Sequence, residues 1–111
     1  MKNSKIYYMY RDAGNYKFYH EVIIRGKLSL EDLKPFFHDH DFFIPTQFGW
    51  PDLQPEPLTD NDHIWHQIYE VESTNEKETY NISSNELISK FRNLSSKNWN
   101  EFEVILRKGI I

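Results

Sequence analysis

The segment KIYYMYRDAGNYKFYHEVIIRG, Lys5 to Gly26, commits the chain to a sheet. Two runs rich in aromatic and β-branched residues, Lys5–Tyr10 and Tyr19–Gly26, flank Asp12, Gly14 and Asn15, residue types that suit a reversing chain. The pattern reads as strand, tight connection, strand. In the first run Ile6, Tyr8 and Tyr10 share one face by the two-residue period, yet Tyr7 and Met9 on the other face are also apolar. Val22, Ile23 and Ile24 break alternation in the same way. Strands apolar on both faces are expected in a sheet covered on both sides, or in one with a loop laid over its second face.

The chain has 111 residues, a length that suits a single domain over 1–111. Only 39% of it is hydrophobic, but eight Phe, seven Tyr and three Trp supply large buried areas from few positions. A net charge of −4 argues against a dedicated nucleic-acid binder and against attachment to anionic lipid. With no cysteine, disulfides, thiolate catalysis and Cys-ligated zinc are excluded. The opening MKNSKIYYMYRDAG has too short an apolar run for a signal peptide, and no stretch approaches a membrane span. A soluble cytoplasmic protein is expected.

After the hairpin, LSLEDLKPFF offers Ser29 as N-cap with Asp32 three residues on, and Leu28 with Leu33 as a hydrophobic staple. Pro35 requires that helix to be short or kinked. Residues 45–62, PTQFGWPDLQPEPLTDND, hold four of the five prolines and keep no helical or strand period. Phe48, Trp50, Leu53 and Leu58 point to a long ordered loop pinned by its own apolar side chains. IWHQIYEVEST reads as a strand from about Ile64, with Trp65, Tyr69 and Val71 on one face and Ile68 on the other. Ser83 and Glu86 form a capping box ahead of a stripe of Leu87, Ile88, Phe91 and Leu94. NEFEVILRKG alternates Phe102, Val104 and Leu106 and reads as a closing strand, though Ile105 interrupts. The fold class is α+β: a β-hairpin start and a mixed or antiparallel sheet with two short helices, in the order ββα-loop-βαβ.

Four constellations carry potential chemistry. His38, His40, His63 and His66, with Asp39, Asp41, Asp60 and Asp62, are ligand types for zinc or manganese. Their spacing is poor: His38 and His40 converge only in an extended segment, His63 and His66 only on a helix. HDHD is therefore read as a polar turn leaving the helix. His63 or His66 beside Asp60 or Asp62 is also a weak acid–base arrangement, which Asx-turn roles explain as well. Arg11, Lys17 and the turn amides around Gly14 form either an anion cradle or an ordinary turn with a soluble edge. Phe48, Trp50 and Leu53, on a proline-stiffened loop with an acidic flank, are interface-type residues that equally suit the core.

At YMYRDAGNYKFYHEV, and again at FFIP…PDL and DHIWH, the chain resembles small uncharacterised bacterial proteins with a Y-x-Y-R-D-x-x-N-Y-K hairpin and a later FFIP…PDL loop. The likeness spans roughly the first two-thirds of the chain. It implies a bacterial or phage cytoplasmic origin and brings no activity and no site residues with it. The expected function is binding of another macromolecule, a protein partner, by a non-enzymatic module of inhibitory, immunity or regulatory type, without cofactor. Phe48, Trp50, Leu53, Arg11 and Lys17 are the expected contact residues. The alternative is a zinc or manganese protein, or a metal-dependent hydrolase, using His38, His40, Asp62, His63 and His66. A third reading is a small-molecule pocket between the loop and the Trp65 strand.

Overall fold

A computed structural model describes residues 2–54 and 63–108. The hairpin forms as expected, with β1 (Asn3–Arg11) antiparallel to β2 (Lys17–Ile24) in a register running from Ser4 opposite Ile24 to Arg11 opposite Lys17. Asp12 shapes its turn: the Asn15 amide donates to the Asp12 carbonyl at 3.0 Å and the Tyr16 amide to its carboxylate at 2.9 Å. With β3 (Phe42–Phe43) and β4 (His66–Thr74) the strands make one antiparallel sheet in the order β2-β1-β4-β3. The fold is α+β. Among the described residues no helix is long and apolar enough to cross a membrane.

The order of elements departs from expectation at three places, the first being the added short strand β3. LSLEDLKPFF is two 3-10 turns, Leu30–Asp32 and Lys34–Phe36, because Pro35 has no N–H to continue an α-helical ladder. Leu28 and Leu33 are both buried, as the staple required. The closing strand is instead a helix. After α1 (Ser84–Ser96) comes α2 (Glu101–Lys108), which buries Val104 and leaves Phe102 and Leu106 exposed. Eight residues fit either period, and here the charges favour a helix: Glu101 and Glu103 occupy the first turn, Arg107 and Lys108 the last, each complementing the helix dipole.

α1 follows its sequence signals closely. The Glu86 amide donates to Ser83 Oγ, and the Ser83 amide to Glu86 Oε1, both at 3.2 Å. Leu87, Phe91 and Leu94 are buried and Ile88 packs against the same core. Asn98, Trp99 and Asn100 then join α1 to α2 with φ values of 54°, 62° and 52°. A left-handed tryptophan is strained by on the order of 1–2 kcal/mol. Trp99 is held there by burial, by its indole N–H donating to the Phe36 carbonyl at 3.2 Å, and by Gln47 donating to the Trp99 carbonyl at 2.9 Å.

All of this packs on one side of the sheet. Ile6, Tyr8, Val22, Ile24, Phe43 and Ile68 point into a single core with α1, Trp50 and Trp99. Phe91 lies 4.6 Å from Phe48 and 5.3 Å from Trp99 between ring centroids, and stacks on Phe43. Phe91→Ala should therefore lower the unfolding free energy by about 3–5 kcal/mol. Loss of the cap in Ser83→Ala should cost only about 1 kcal/mol. Urea unfolding at neutral pH measures both; equal effects would show that the aromatic joint is not what holds helix to sheet.

Candidate functional site

The other side of the sheet is where the structure differs most from the sequence reading. The apolar residues of that face were expected to be covered. Ile23 is, because Thr79 and Tyr80 donate to its carbonyl at 2.9 and 3.3 Å and close that end. Over the rest of the face no described element lies. Tyr19 is 59% exposed and Tyr69 46% exposed, and Tyr7 is half-buried between them. Their rings form a cluster, with Tyr69 at 6.1 Å from Tyr7 and at 6.0 Å from Tyr19, the latter nearly perpendicular at 86°. An open groove of about 620 Å³ runs along them, bordered by Glu21 and Glu76.

A break in register delivers Tyr69 to this face. Tyr7 pairs with Glu70 and Tyr8 with Ile68, so Tyr69 is an extra residue in β4. Inward-facing positions before it are even (His66, Ile68); beyond it Val71 lies opposite the buried Ile6. Tyr69 and Glu70 both face outward as a consequence. The expected grouping of Trp65, Tyr69 and Val71 on one face is thereby corrected: strict alternation does not survive a β-bulge.

Carboxylates surround the cluster. Glu21 and Glu70 lie on either side of Tyr7 across the two neighbouring strands, and Glu72 accepts a hydrogen bond from the Tyr7 hydroxyl. That hydrogen bond, with burial and the charges of Glu72, Glu21 and Glu70, raises the Tyr7 phenol above its ordinary value. Burial, then Tyr19, Glu70 and Glu21, raise Tyr69 likewise. Lys5 pairs with Glu76 and sits 6.0 Å from the Tyr7 ring centroid. Among the described residues Glu21 and Glu70 belong to no ion pair.

The residues singled out from sequence lie elsewhere. Trp50 is buried, and Phe48 and Leu53 pack against the core, so these loop residues complete the covered side of the sheet. The Tyr8 hydroxyl ties the loop down by donating to the Pro51 carbonyl at 2.6 Å, and Gly49 turns it with φ of 74°. Leu58, Asp60 and Asp62 lie outside the described residues. Arg11 and Lys17 stand opposite each other at the hairpin end, where the Arg11 guanidinium reaches Gln67 at 3.3 Å. The turn amides at Asp12, Asn15 and Tyr16 already donate within the turn.

HDHD is a tight reversal. His38 exchanges backbone hydrogen bonds with Phe42, and Asp39 and His40 take positive φ, a conformation that short polar side chains tolerate. His40 is left in solvent while His38 stacks on Trp65 at 4.0 Å, so the two imidazoles go different ways. His63 donates from Nε2 to the Arg11 carbonyl at 2.8 Å and accepts the Trp65 amide at Nδ1. His66 adopts the opposite tautomer: Nε2 accepts the Leu53 amide at 3.1 Å, and Nδ1–H donates to the Ile64 carbonyl at 3.3 Å. All four ring nitrogens thus have backbone partners, which a metal would have to displace. Among the described residues no three His, Asp or Glu side chains are grouped to hold one.

His66 belongs instead to a buried polar cluster that fastens the loop and α2. Its Nε2 lies 3.4 Å from Asp52, which pairs with Lys108; Lys108 also donates to Gln54. While Nε2 accepts the Leu53 amide the neutral ring cannot donate to Asp52; it does so only once protonated. Burial disfavours the charge on Asp52, but the His66 ring, Lys108 and the Gln54 amide outweigh it and hold the carboxyl at about 2. Burial lowers the His66 imidazole below its ordinary 6.5 against the pull of Asp52. This interaction of loop, strand and helix was not legible in the sequence, because its members Asp52, His66 and Lys108 are 14 to 56 positions from one another.

Comparison with models of protein families, with curated proteins and with solved structures finds no match to this chain.

The cluster sets the acid response of the fold. Unfolded His66 takes up a proton near its ordinary 6.5, which the folded, buried ring resists, so stability falls as pH drops below that value. A second loss follows as pH falls from the ordinary carboxyl value of 3.8 towards about 2, where folded Asp52 protonates. His66→Gln should be less stable at neutral pH yet flatter as pH falls below 6.5. Urea midpoints across that range check the sign; an unchanged slope would remove His66 from this role.

Proposed function

We propose that the protein is a non-catalytic binding module that docks another protein on the open face of its sheet, and thereby inhibits, neutralises or regulates it in the cytoplasm without a cofactor. One observation carries the reading. A sheet whose inner face is packed by α1, the loop and Trp99 except at Phe18 and His20 of β2 leaves three adjoining tyrosines, Tyr7, Tyr19 and Tyr69, on its outer face. Tyrosine is enriched at interfaces because a stiff ring contributes much area for few rotatable bonds and carries a polar tip. Mounted on paired strands, these rings are already positioned, which lowers the entropic cost of docking.

The placement of the shifted titratable groups supports a non-catalytic role. Asp52 and His66 are satisfied by Lys108 and by backbone groups, an arrangement that fastens the loop and leaves neither group poised to move a proton. Arg11 and Lys17, on the same side of the sheet at the hairpin end, extend the docking face and add a cationic border to it.

A photo-crosslinking residue in place of Tyr19 should give a discrete protein adduct in an extract of the native cell. The same residue in place of Glu86, at the start of α1 on the covered side, should give none. Turnover of a phosphoester or ester panel by the purified protein, with no adduct at Tyr19, would overturn the proposal.

A further inference from the structure

We infer that the partner presents a basic segment, and that an arginine of that segment stacks on the exposed side of the Tyr19–Tyr69 pair with its guanidinium directed at Glu21 and Glu70. The inference rests on the docking face proposed above and gives its occupant a chemical identity. Charge decides it. Glu21, Glu70, Glu72 and Glu76 stand around the three tyrosines, against Lys5, which Glu76 already neutralises, while Arg11 and Lys17 lie at the hairpin end of the face. Glu21 and Glu70 are left without an ion pair among the described residues. Carboxylates beside aromatic faces form a site for an organic cation, because the ring quadrupole and the fixed charges attract the same sign.

The chain itself uses this chemistry once on the same face. The Lys5 ammonium lies 6.0 Å from the Tyr7 centroid and is held there by Glu76. Tyr69 and Tyr19, in edge-to-face contact at 6.0 Å, offer a further exposed aromatic surface that carries no cation of the chain's own among the described residues. The raised phenols of Tyr7 and Tyr69 report the same negative potential, after the Tyr7–Glu72 hydrogen bond and burial respectively. A planar guanidinium suits this geometry better than an ammonium: it stacks on a ring through one face while its edge meets a carboxylate in two parallel hydrogen bonds. A second copy of the chain is the poorer occupant, since matching acidic centres would repel.

The outer edge of β2 supplies the track. Its Ile23 to Arg25 end is closed, with the Thr79 and Tyr80 amides donating to the Ile23 carbonyl and the Arg25 amide donating to the Ile82 carbonyl, but Lys17–Glu21 pairs only with β1 among the described residues. An extended segment can add there as a further strand, placing alternate side chains over Tyr19 and Glu21.

The probe is a Ser/Gly octapeptide carrying two arginines, followed by NMR of the Tyr19 and Tyr69 rings, with lysine, glutamate and leucine versions alongside. The arginine peptide should shift both rings and the lysine peptide should do so more weakly. The glutamate and leucine peptides should leave them unmoved at the same concentration. Glu21→Gln with Glu70→Gln should weaken arginine binding about tenfold. Tyr69→Leu, which keeps apolar area and loses the quadrupole, should weaken it about threefold, and Tyr69→Phe should bind within about twofold of the parent. These positions are exposed, and urea midpoints confirm that each variant is folded. Equal shifts from the leucine or glutamate peptide, unweakened binding by Tyr69→Leu, or sedimentation showing the face closed by a second copy would each overturn the inference. A Tyr19 adduct that persists undiminished in the double glutamine variant overturns the arginine and leaves protein docking standing; absence of any adduct removes both.

Discussion

Phe43 and Phe91 are the contact through which sheet, helix and loop hold one another. Phe43 belongs to a strand of only two residues, too short for its own ladder to fix it. It is fixed by rings: Tyr8 at 5.5 Å from β1, Trp50 at 6.0 Å from the loop and Phe91 at 6.0 Å from α1. Phe91 in turn meets Phe48, Trp99 and Phe37. Aromatic pairs of this kind add about 0.5–1.5 kcal/mol each beyond the area they bury. That is how a chain of modest hydrophobic content closes its core, and why its proline-rich loop lies down at all.

Because the aromatic joint gathers the helices and the loop on one side, nothing described covers the other beyond the Ile23 end. The outer face holds rings as well, but its neighbours are carboxylates, whereas those of the inner face are aliphatic. The polar groups show the same division. Asp52, His66 and Lys108, on the packed side, satisfy one another or the backbone; Glu21 and Glu70, on the open side, form no ion pair among the described residues. A sheet built this way carries its unspent interaction capacity on one surface.

The parts of this fold that were legible in the sequence are those governed by local rules. The hairpin register follows from Asp12, Gly14 and Asn15 between two matched runs, and α1 from Ser83, Glu86 and the Leu87–Phe91–Leu94 stripe. The last segment was misread because Phe102, Val104 and Leu106 alternate over a stretch too short to choose a period; only the end charges distinguished helix from strand. The first helix dissolved into 3-10 turns at Pro35, as its sequence had already warned. The candidate site was the least legible. Phe48 and Trp50 stood out by composition, yet their fate depended on Phe91, more than forty positions away. Tyr19 and Tyr69 looked like ordinary strand residues, and nothing local signals the bulge that brings Tyr69 outward.

That bulge also separates two histories within one strand. Ile68 and Val71 answer to the core, and Tyr69 and Glu70 between them answer to whatever meets the outer face. With the extra residue in place, recognition and folding are written in different letters of the same short word. If the outer face docks a partner as proposed, substitutions at 69 and 70 retune what is bound without disturbing what is packed, and the interior stays as it is.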